Sequence, residues 1–146
     1  MRGLGLKRLT KSARGCGIAP FIETRGNARR PPGREVLVRG ASGWRGRARL
    51  LASPWRRLRG LLGTSRGDKR AGLVLLTPCS SIHTFGMAYA IDVAFVSAEG
   101  VVVGSLRAVA PWRVESALGA RHVLERPSST APWPQAGEEL WLSELG

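Results

Sequence analysis

Several residue types are scarce in this chain, and their scarcity excludes whole classes of protein. Two cysteines in 146 residues, Cys16 and Cys79, are too few for a disulfide scaffold. No apolar run approaches the roughly 20 residues of a membrane-spanning helix. Glycine-rich phosphate loops of the dinucleotide-binding or Walker type are missing, so we expect no cofactor. With 43% hydrophobic residues the chain can still form a core, and its length suits one domain.

Lysine is also scarce, although the net charge is +13. Only three of the 23 basic residues are lysine, and residues 1–70 hold 19 basic residues against 3 acidic ones. Residues 71–146 hold 4 basic and 7 acidic residues. A basic segment can bind nucleic acid or a membrane surface, whereas arginine without lysine favours a compositional origin in a GC-rich coding sequence. Nucleic-acid binding through residues 1–70 therefore stands as an alternative function.

The first 34 residues form a region of their own. They are rich in arginine and poor in acids, and Pro20 interrupts the only stretch that resembles a secretory signal core. The segment loosely resembles an organelle transit peptide, and a start codon assigned too early is equally compatible with it. We expect residues 1–34 to be a disordered leader and the protein to be cytoplasmic, with both cysteines reduced.

Short apolar or alternating runs separated by turns predict a β-rich domain over residues 35–146. The predicted strands cover residues 36–38, 47–52, 72–77, 81–87, 90–97, 101–109, 121–125 and 138–142. One helix is predicted over residues 54–62, because Ser53 can cap it and apolar residues recur at helical spacing up to Gly63. The expected fold is a single antiparallel β-sandwich, jelly-roll-like or barrel-like domain.

An ordered set of motifs agrees with a known family. The motifs are, in order, RGLLG at 59–63, GLVL at 72–75, PCSSIHTFGM at 78–87, IDVAFV at 91–96, the turn at 99–100 and ARHVLE at 120–125. This block resembles the uncharacterised family called domain of unknown function 192, over about three-quarters of the chain. Ala90, where members commonly carry proline or leucine, and residues 137–139 depart from the pattern. The resemblance implies a compact β-sandwich or jelly-roll-like domain with a short helix, and it implies no established reaction.

Cys79, His83 and Asp92 are the residues that suggest catalysis or metal binding. A thiol, an imidazole and a carboxylate can form a nucleophilic system or supply ligands to zinc. On an extended strand, however, Cys79 and His83 would lie about 13 Å apart, so a bend between them would be needed. We therefore expect no metal site, and a hydrolase that uses Cys79 or a His83–Asp92 pair remains an alternative. The opposing interpretation has Cys79 as a small buried hydrophobe.

Asp92 is unusual because it interrupts an apolar strand, where a carboxylate must face solvent or be paired. In the structural interpretation it accepts hydrogen bonds from backbone amides or from Arg59. In the functional interpretation it forms the polar floor of a ligand site together with His83 and Thr84. Phe85 and Met87 would then supply the apolar wall of that site.

The five tryptophans contrast with a single tyrosine. Tryptophan beside proline, as at Trp112 and Trp133, forms stacking platforms or anchors a loop over the core. His122 is interpreted as a surface histidine. The function we predict is a binding module for a polar small molecule or saccharide, in a groove formed by residues 83–87 and Asp92.

Overall fold

The computed structural model describes residues 7–8, 34–53, 60–68 and 71–145. Ten strands lie in these ranges. They are β1 (Lys7–Arg8), β2 (Arg34–Gly40), β3 (Arg45–Leu51), β4 (Val74–Leu76), β5 (Ser81–His83), β6 (Ile91–Ser97), β7 (Val102–Val109), β8 (Val114–Ser116), β9 (Ala120–Pro127) and β10 (Leu140–Glu144). The prediction of a mainly β fold is confirmed, and β1 and β8 are the strands that fall where none was predicted.

Eight of the strands form one sheet in the order β1-β10-β2-β3-β4-β9-β6-β7, and β5 pairs with β8 in a separate two-stranded ribbon. Neighbouring strands are antiparallel except for β3 and β4, which are parallel. The sheet curls so that the start of β7 meets the start of β10. There the amide of Val102 donates to the carbonyl of Glu138 (2.8 Å), and the amide of Leu140 donates to that of Gly100 (2.7 Å). The result is a half-barrel, nearer to the predicted barrel-like alternative than to a sandwich or jelly roll.

Each face of the sheet packs against its own hydrophobic core, because successive side chains of a strand point to opposite faces. The concave face holds the inner core, which includes Val38, Leu124 and Trp133. The convex side of β4, β9, β6 and β7 holds the outer core, which includes Phe95 and Leu61. Burial on both faces explains why the central strands are continuous apolar runs in the sequence.

The predicted helix over residues 54–62 is not seen. Residues 54–59 lie outside the described residues, and residues 60–63 form a turn. Gly60 lies inside the predicted range and adopts a left-handed backbone conformation (φ +45°), which a right-handed helix does not contain; Gly63, the predicted stop, is left-handed as well (φ +78°). None of the described residues forms a helix, so none provides one long and apolar enough to cross a membrane.

The predicted leader, residues 1–34, lies outside the described residues apart from β1 and Arg34. The two residues of β1 pair antiparallel with β10, so that Arg8 occupies the register position beside Trp141. Residues 35–53 and 60–145, where described, contain every other strand of the fold.

Candidate functional site

Asp92 lies in β6 opposite a β-bulge in the neighbouring strand. The register of β6 against β7 shifts at this point, so that Arg107 and Ala108 together face Asp92. Ala108 adopts a left-handed conformation (φ +53°), which is uncommon for a residue other than glycine. Its amide donates to Oδ1 of Asp92 over 3.0 Å. The bulge therefore supplies a backbone donor to a carboxylate that has no exposed surface.

Two arginines complete the surroundings of this carboxylate. Nε of Arg126 lies 2.9 Å from Oδ2 of Asp92, Nε of Arg107 lies 3.5 Å from Oδ1, and the Ser129 amide donates to Oδ2 over 3.3 Å. Burial alone would raise the pKa of Asp92, but the hydrogen bonds from the Ala108 amide, Arg126 and Ser129 outweigh it and lower that pKa. Asp92 is therefore an anion held by fixed donors.

Both guanidinium groups also donate to the loop that follows β9. They reach backbone carbonyls of residues 129–132 over 2.6 to 3.1 Å, and the guanidinium of Arg126 stacks 4.5 Å above the ring of Trp133. Because Trp133 is buried in the inner core, this loop closes the concave face. Asp92 thus has the structural role of anchoring the loop. Arg59, its predicted partner, lies outside the described residues.

His83 belongs to a different region, the ribbon of β5 and β8. His83 pairs with Val114, and Ile82 between His83 and Ser81 is buried in the outer core. By alternation His83 and Val114 share the face of the ribbon that points away from that core. Nδ1 of His83 is enclosed, and neither of its ring nitrogens has a hydrogen-bond partner in the described part of the chain. The ring thus retains unused hydrogen-bonding capacity.

Three aromatic rings lie in a row on this side of the molecule, and we call them the aromatic row: His83, Phe85 and Trp112. The ring centroids of His83 and Phe85 are 5.4 Å apart, and those of Phe85 and Trp112 are 5.8 Å apart. The planes are tilted by 33° and 31°. Phe85 is 45% exposed and Trp112 is 71% exposed. The row therefore presents aromatic surface to solvent.

Thr84 fixes the turn that carries Trp112. Its hydroxyl donates to the carbonyl of Ala110 (2.7 Å) and accepts from the amide of Arg113 (2.8 Å), and its own carbonyl accepts from the amide of Trp112 (3.1 Å). Trp112 is held at φ +65°, in the left-handed region that a bulky residue rarely adopts. Such strain costs about 1–3 kcal/mol and is concentrated at functional sites.

The structure separates the five predicted ligand-binding residues into two groups. His83 and Phe85 have exposed surface, whereas Thr84, Met87 and Asp92 are buried. Met87 packs in the outer core, beneath the segment rather than on its surface. The hydrogen-bonding partners of Asp92 do not include His83, so these two residues do not form a hydrogen-bonded pair.

Cys79 lies at the start of the same segment. Its thiol donates to the carbonyl of Ser81 over 3.2 Å, and its amide donates to the carbonyl of Arg121 over 2.8 Å. The side chain is partly exposed, in contrast to the buried position expected for a small hydrophobe. Within the described ranges, no cluster of three histidine, cysteine, aspartate or glutamate side chains could hold a metal ion.

Two titratable residues of β9 are buried: His122, which was predicted at the surface, and Glu125, which was not singled out in the sequence. His122 is buried, and its Nδ1 lies 2.7 Å from Oγ1 of Thr77. Burial, together with the charge of Arg121, lowers the pKa of His122 to about 4. Burial raises the pKa of Glu125 to about 7. Glu125 faces the outer core, in register with two valines. Their places in an apolar strand were the available signal, because a polar residue there must either face solvent or have a partner inside the protein.

The tryptophans differ in burial: two of them anchor the inner core, whereas Trp112 is exposed. Trp44 packs edge-on against Trp133 at 5.7 Å, so these two close the inner core. Trp112 and Trp141 lie outside that core, and Trp55 is not among the described residues. The proline before Trp112 was the only sequence signal for an exposed platform, and the same signal accompanies the buried Trp133.

Comparison with known proteins identifies a family and a fold. The family model DUF192, described as "Uncharacterized ACR", matches residues 38–133, which is well over half of the chain. No curated protein matches the chain significantly.

Two crystal structures share the fold. One is of a protein of unknown function from Novosphingobium aromaticivorans, with a TM-score of 0.61, 19% identity and coverage of 81% of this chain and 94% of that one. The other is described as a "putative transcription regulator" from Sinorhizobium meliloti, with a TM-score of 0.60, 17% identity and coverage of 79% and 96%. At these identities the similarity concerns the fold alone.

Proposed function

Because the chain belongs to the DUF192 family, whose description names no reaction, we propose a function from the molecule's own surface: a binding module that takes a saccharide, or a polar small molecule of similar shape, on the aromatic row. The single observation that carries this proposal is the exposure of Trp112 in a strained conformation next to Phe85. The fold gains little by holding a mostly exposed indole at a positive φ. A ligand that stacks on the indole would provide the reason.

The chemistry of the row supports a saccharide. One face of a sugar ring carries C–H groups that pack against an aromatic ring, and its hydroxyl groups need hydrogen-bond partners. Phe85 and Trp112 are adjacent exposed aromatic side chains, and His83 at the end of the row is a partly exposed polar ring. A few polar groups beside an apolar surface are typical of small-molecule sites.

The rigid turn that carries Trp112 is a further argument for a binding site on the aromatic row. Thr84 ties the Trp112 turn to the ribbon through both its side chain and its backbone. A surface whose rings are already positioned loses less conformational entropy on binding than a mobile one. The hydrolase alternative lacks comparable support, because Asp92 is already bonded to arginines and amides and makes no hydrogen bond to His83.

The experiment uses the full chain labelled with ¹⁵N and titrated with a panel of disaccharides at millimolar concentration. The indole N–H signal of Trp112, assigned by its loss in Trp112→Ala, should shift with at least one sugar. The double variant Phe85→Ala/Trp112→Ala removes both rings on which the sugar would pack and should bind at least about tenfold more weakly, a loss of about 1.4 kcal/mol.

The matched control is Leu118→Ala, which truncates a fully exposed apolar side chain outside the row. It should bind as the wild type does. If no sugar moves the Trp112 signal, or if Leu118→Ala weakens binding as much as the double variant, the proposed saccharide site is wrong.

A further inference from the structure

The convex side of β10, β2 and β3 carries a second distinctive surface, which we call the basic face. Val36 and Val38 of β2 point into the inner core, so the residues between and beside them point to the convex side. The same alternation applies to β3 and β10 through their register with β2. The side chains that define the basic face are Arg39, Arg45, Arg47, Arg49 and Trp141.

Two arginines on this face lie directly opposite each other on neighbouring strands. Arg39 of β2 and Arg45 of β3 are direct cross-strand partners, and both are exposed. Like charges placed directly opposite in a sheet destabilise it. Glu35, the one acid at an outward position of β2 and β3, is paired with Arg47 at 3.3 Å. Neither member of the Arg39–Arg45 pair has an acidic partner among the described side chains. The pair therefore costs stability and leaves positive charge available to an anion.

A tryptophan lies in the same row. Trp141 of β10 is the cross-strand partner of Arg39, so an indole and two guanidinium groups follow one another across three strands. Trp141 is partly exposed. Guanidinium groups bind phosphate through paired donors and also stack on aromatic bases, which lysine cannot do.

We propose that the basic face binds single-stranded nucleic acid, with Arg39 and Arg45 on the phosphates and Trp141 stacked on a base. The combination of an aromatic ring with arginines on an open sheet surface fits a strand whose bases are unpaired, because the bases of a duplex are not available for stacking. The residues of the basic face belong to β2, β3 and β10, and none of them belongs to the aromatic row. The proposal is therefore independent of the function proposed above.

The test measures fluorescence anisotropy of a labelled single-stranded oligothymidine with the full chain, at several salt concentrations. Arg39→Gln/Arg45→Gln should weaken binding roughly tenfold or more at low salt. It should also reduce the slope of log K against log salt by about 1.4, which is 0.7 for each lost phosphate contact. Trp141→Leu should weaken binding roughly tenfold with an unchanged salt slope, and Trp141→Phe should retain most of the affinity.

The matched control is Arg66→Gln/Arg121→Gln, which removes the same charge from exposed positions away from the basic face. It should change binding less than about twofold. Equal losses in the two double variants would overturn the proposal, because the binding would then reflect net charge alone. Equal affinity for a duplex of the same sequence, or binding to phosphatidylserine vesicles without binding to the oligonucleotide, would also overturn it. A thermal melt of each variant confirms that the compared proteins are folded.

Discussion

Ala108 and Trp112 are the two non-glycine residues with positive φ in the described parts of the chain, and they lie only four residues apart. At Ala108 the unusual conformation directs an amide to the buried Asp92 carboxylate. At Trp112 it holds an indole that is 71% exposed. The strain at Ala108 is offset inside the molecule, by a hydrogen bond to a buried charge. The turn at Trp112 is held by hydrogen bonds to Thr84 but makes none to a buried charge, which is why we propose a structural role for Asp92 and a binding role for Trp112.

The same contrast extends to the residues around each position. Every hydrogen bond to Asp92 comes from a fixed donor, and its arginines continue to the 129–132 loop. The aromatic row has a rigid support and presents two exposed rings, Phe85 and Trp112, to solvent. A buried polar cluster whose hydrogen bonds are all satisfied, such as that of Asp92, indicates a role in stability.

The largest loss of stability is expected from a substitution of Asp92. Asp92→Asn preserves the shape but removes the charge opposite Arg126 and Arg107, and we expect the free energy of unfolding to fall by about 3–5 kcal/mol. Urea denaturation at pH 7 measures this change. Glu35→Gln, which makes the same chemical change in an exposed pair, should cost less than about 1 kcal/mol. A loss for Asp92→Asn no larger than that of Glu35→Gln would contradict the structural role.

A second buried acid sharpens the comparison, because Glu125 has no hydrogen-bond partner in the described region whereas Asp92 has several. Its pKa is about 7 in the folded protein against 4.5 in a model peptide. The folded state therefore holds a proton that the unfolded state releases, and this contribution to stability falls as pH rises from about 4.5 to 7. Glu125→Gln should stabilise the protein by about 2–3 kcal/mol at pH 8 and have little effect at pH 4.

His122, on the same strand as Glu125, contributes to stability with the opposite dependence on pH. Its pKa is about 4 when folded against 6.5 in a model peptide, so its contribution to stability is lost as pH falls from about 6.5 to 4. In the wild type the two contributions oppose each other between pH 4.5 and 6.5. Thermal melts across this window should therefore show stability rising with pH in Glu125→Gln. A variant whose pH dependence equals that of the wild type would show that Glu125 does not retain its proton.

A smaller loss of stability is expected from substitution of Thr84, which holds the turn that carries Trp112. Thr84→Val removes the hydroxyl that donates to Ala110 and accepts from the Arg113 amide, and we expect a loss of about 1–3 kcal/mol. Hydrogen exchange at the Arg113 amide should accelerate in this variant. Thr84→Ser, which keeps the hydroxyl, should exchange at nearly the wild-type rate. Equal protection in the valine and serine variants would mean that another contact holds the turn.

Most strands were predictable because local alternation and apolar runs decide which residues enter a sheet. The predicted helix is not seen, because Gly60 adopts a left-handed conformation in the turn over residues 60–63 and residues 54–59 lie outside the described residues. The sheet order was not predictable either. The parallel pairing of β3 with β4 joins strands separated by more than 20 residues, and no local pattern specifies such a pairing.

The candidate site was predictable only in part, because contacts between residues that are distant in the sequence also decide which side chains lie together there. His83 and Phe85 were identified from one short segment, but the residues that decide the role of Asp92 lie 15 to 37 positions away in Arg107, Arg126 and Ser129. His122 was misplaced at the surface because its partner, Thr77, lies 45 positions away. Trp112 was recognised as a platform candidate, but its backbone conformation appears only once the turn is held by Thr84.

The free energy of unfolding of Trp112→Gly is the most direct test of the distinction between the two strained residues. Glycine relieves the left-handed strain by about 1 kcal/mol but loses the ring contact with Phe85, which is worth a similar amount. We expect stability within about 1 kcal/mol of the wild type, together with loss of sugar binding. A loss of about 3 kcal/mol or more, comparable to Asp92→Asn, would show that Trp112 stabilises the fold and would contradict its assignment to binding.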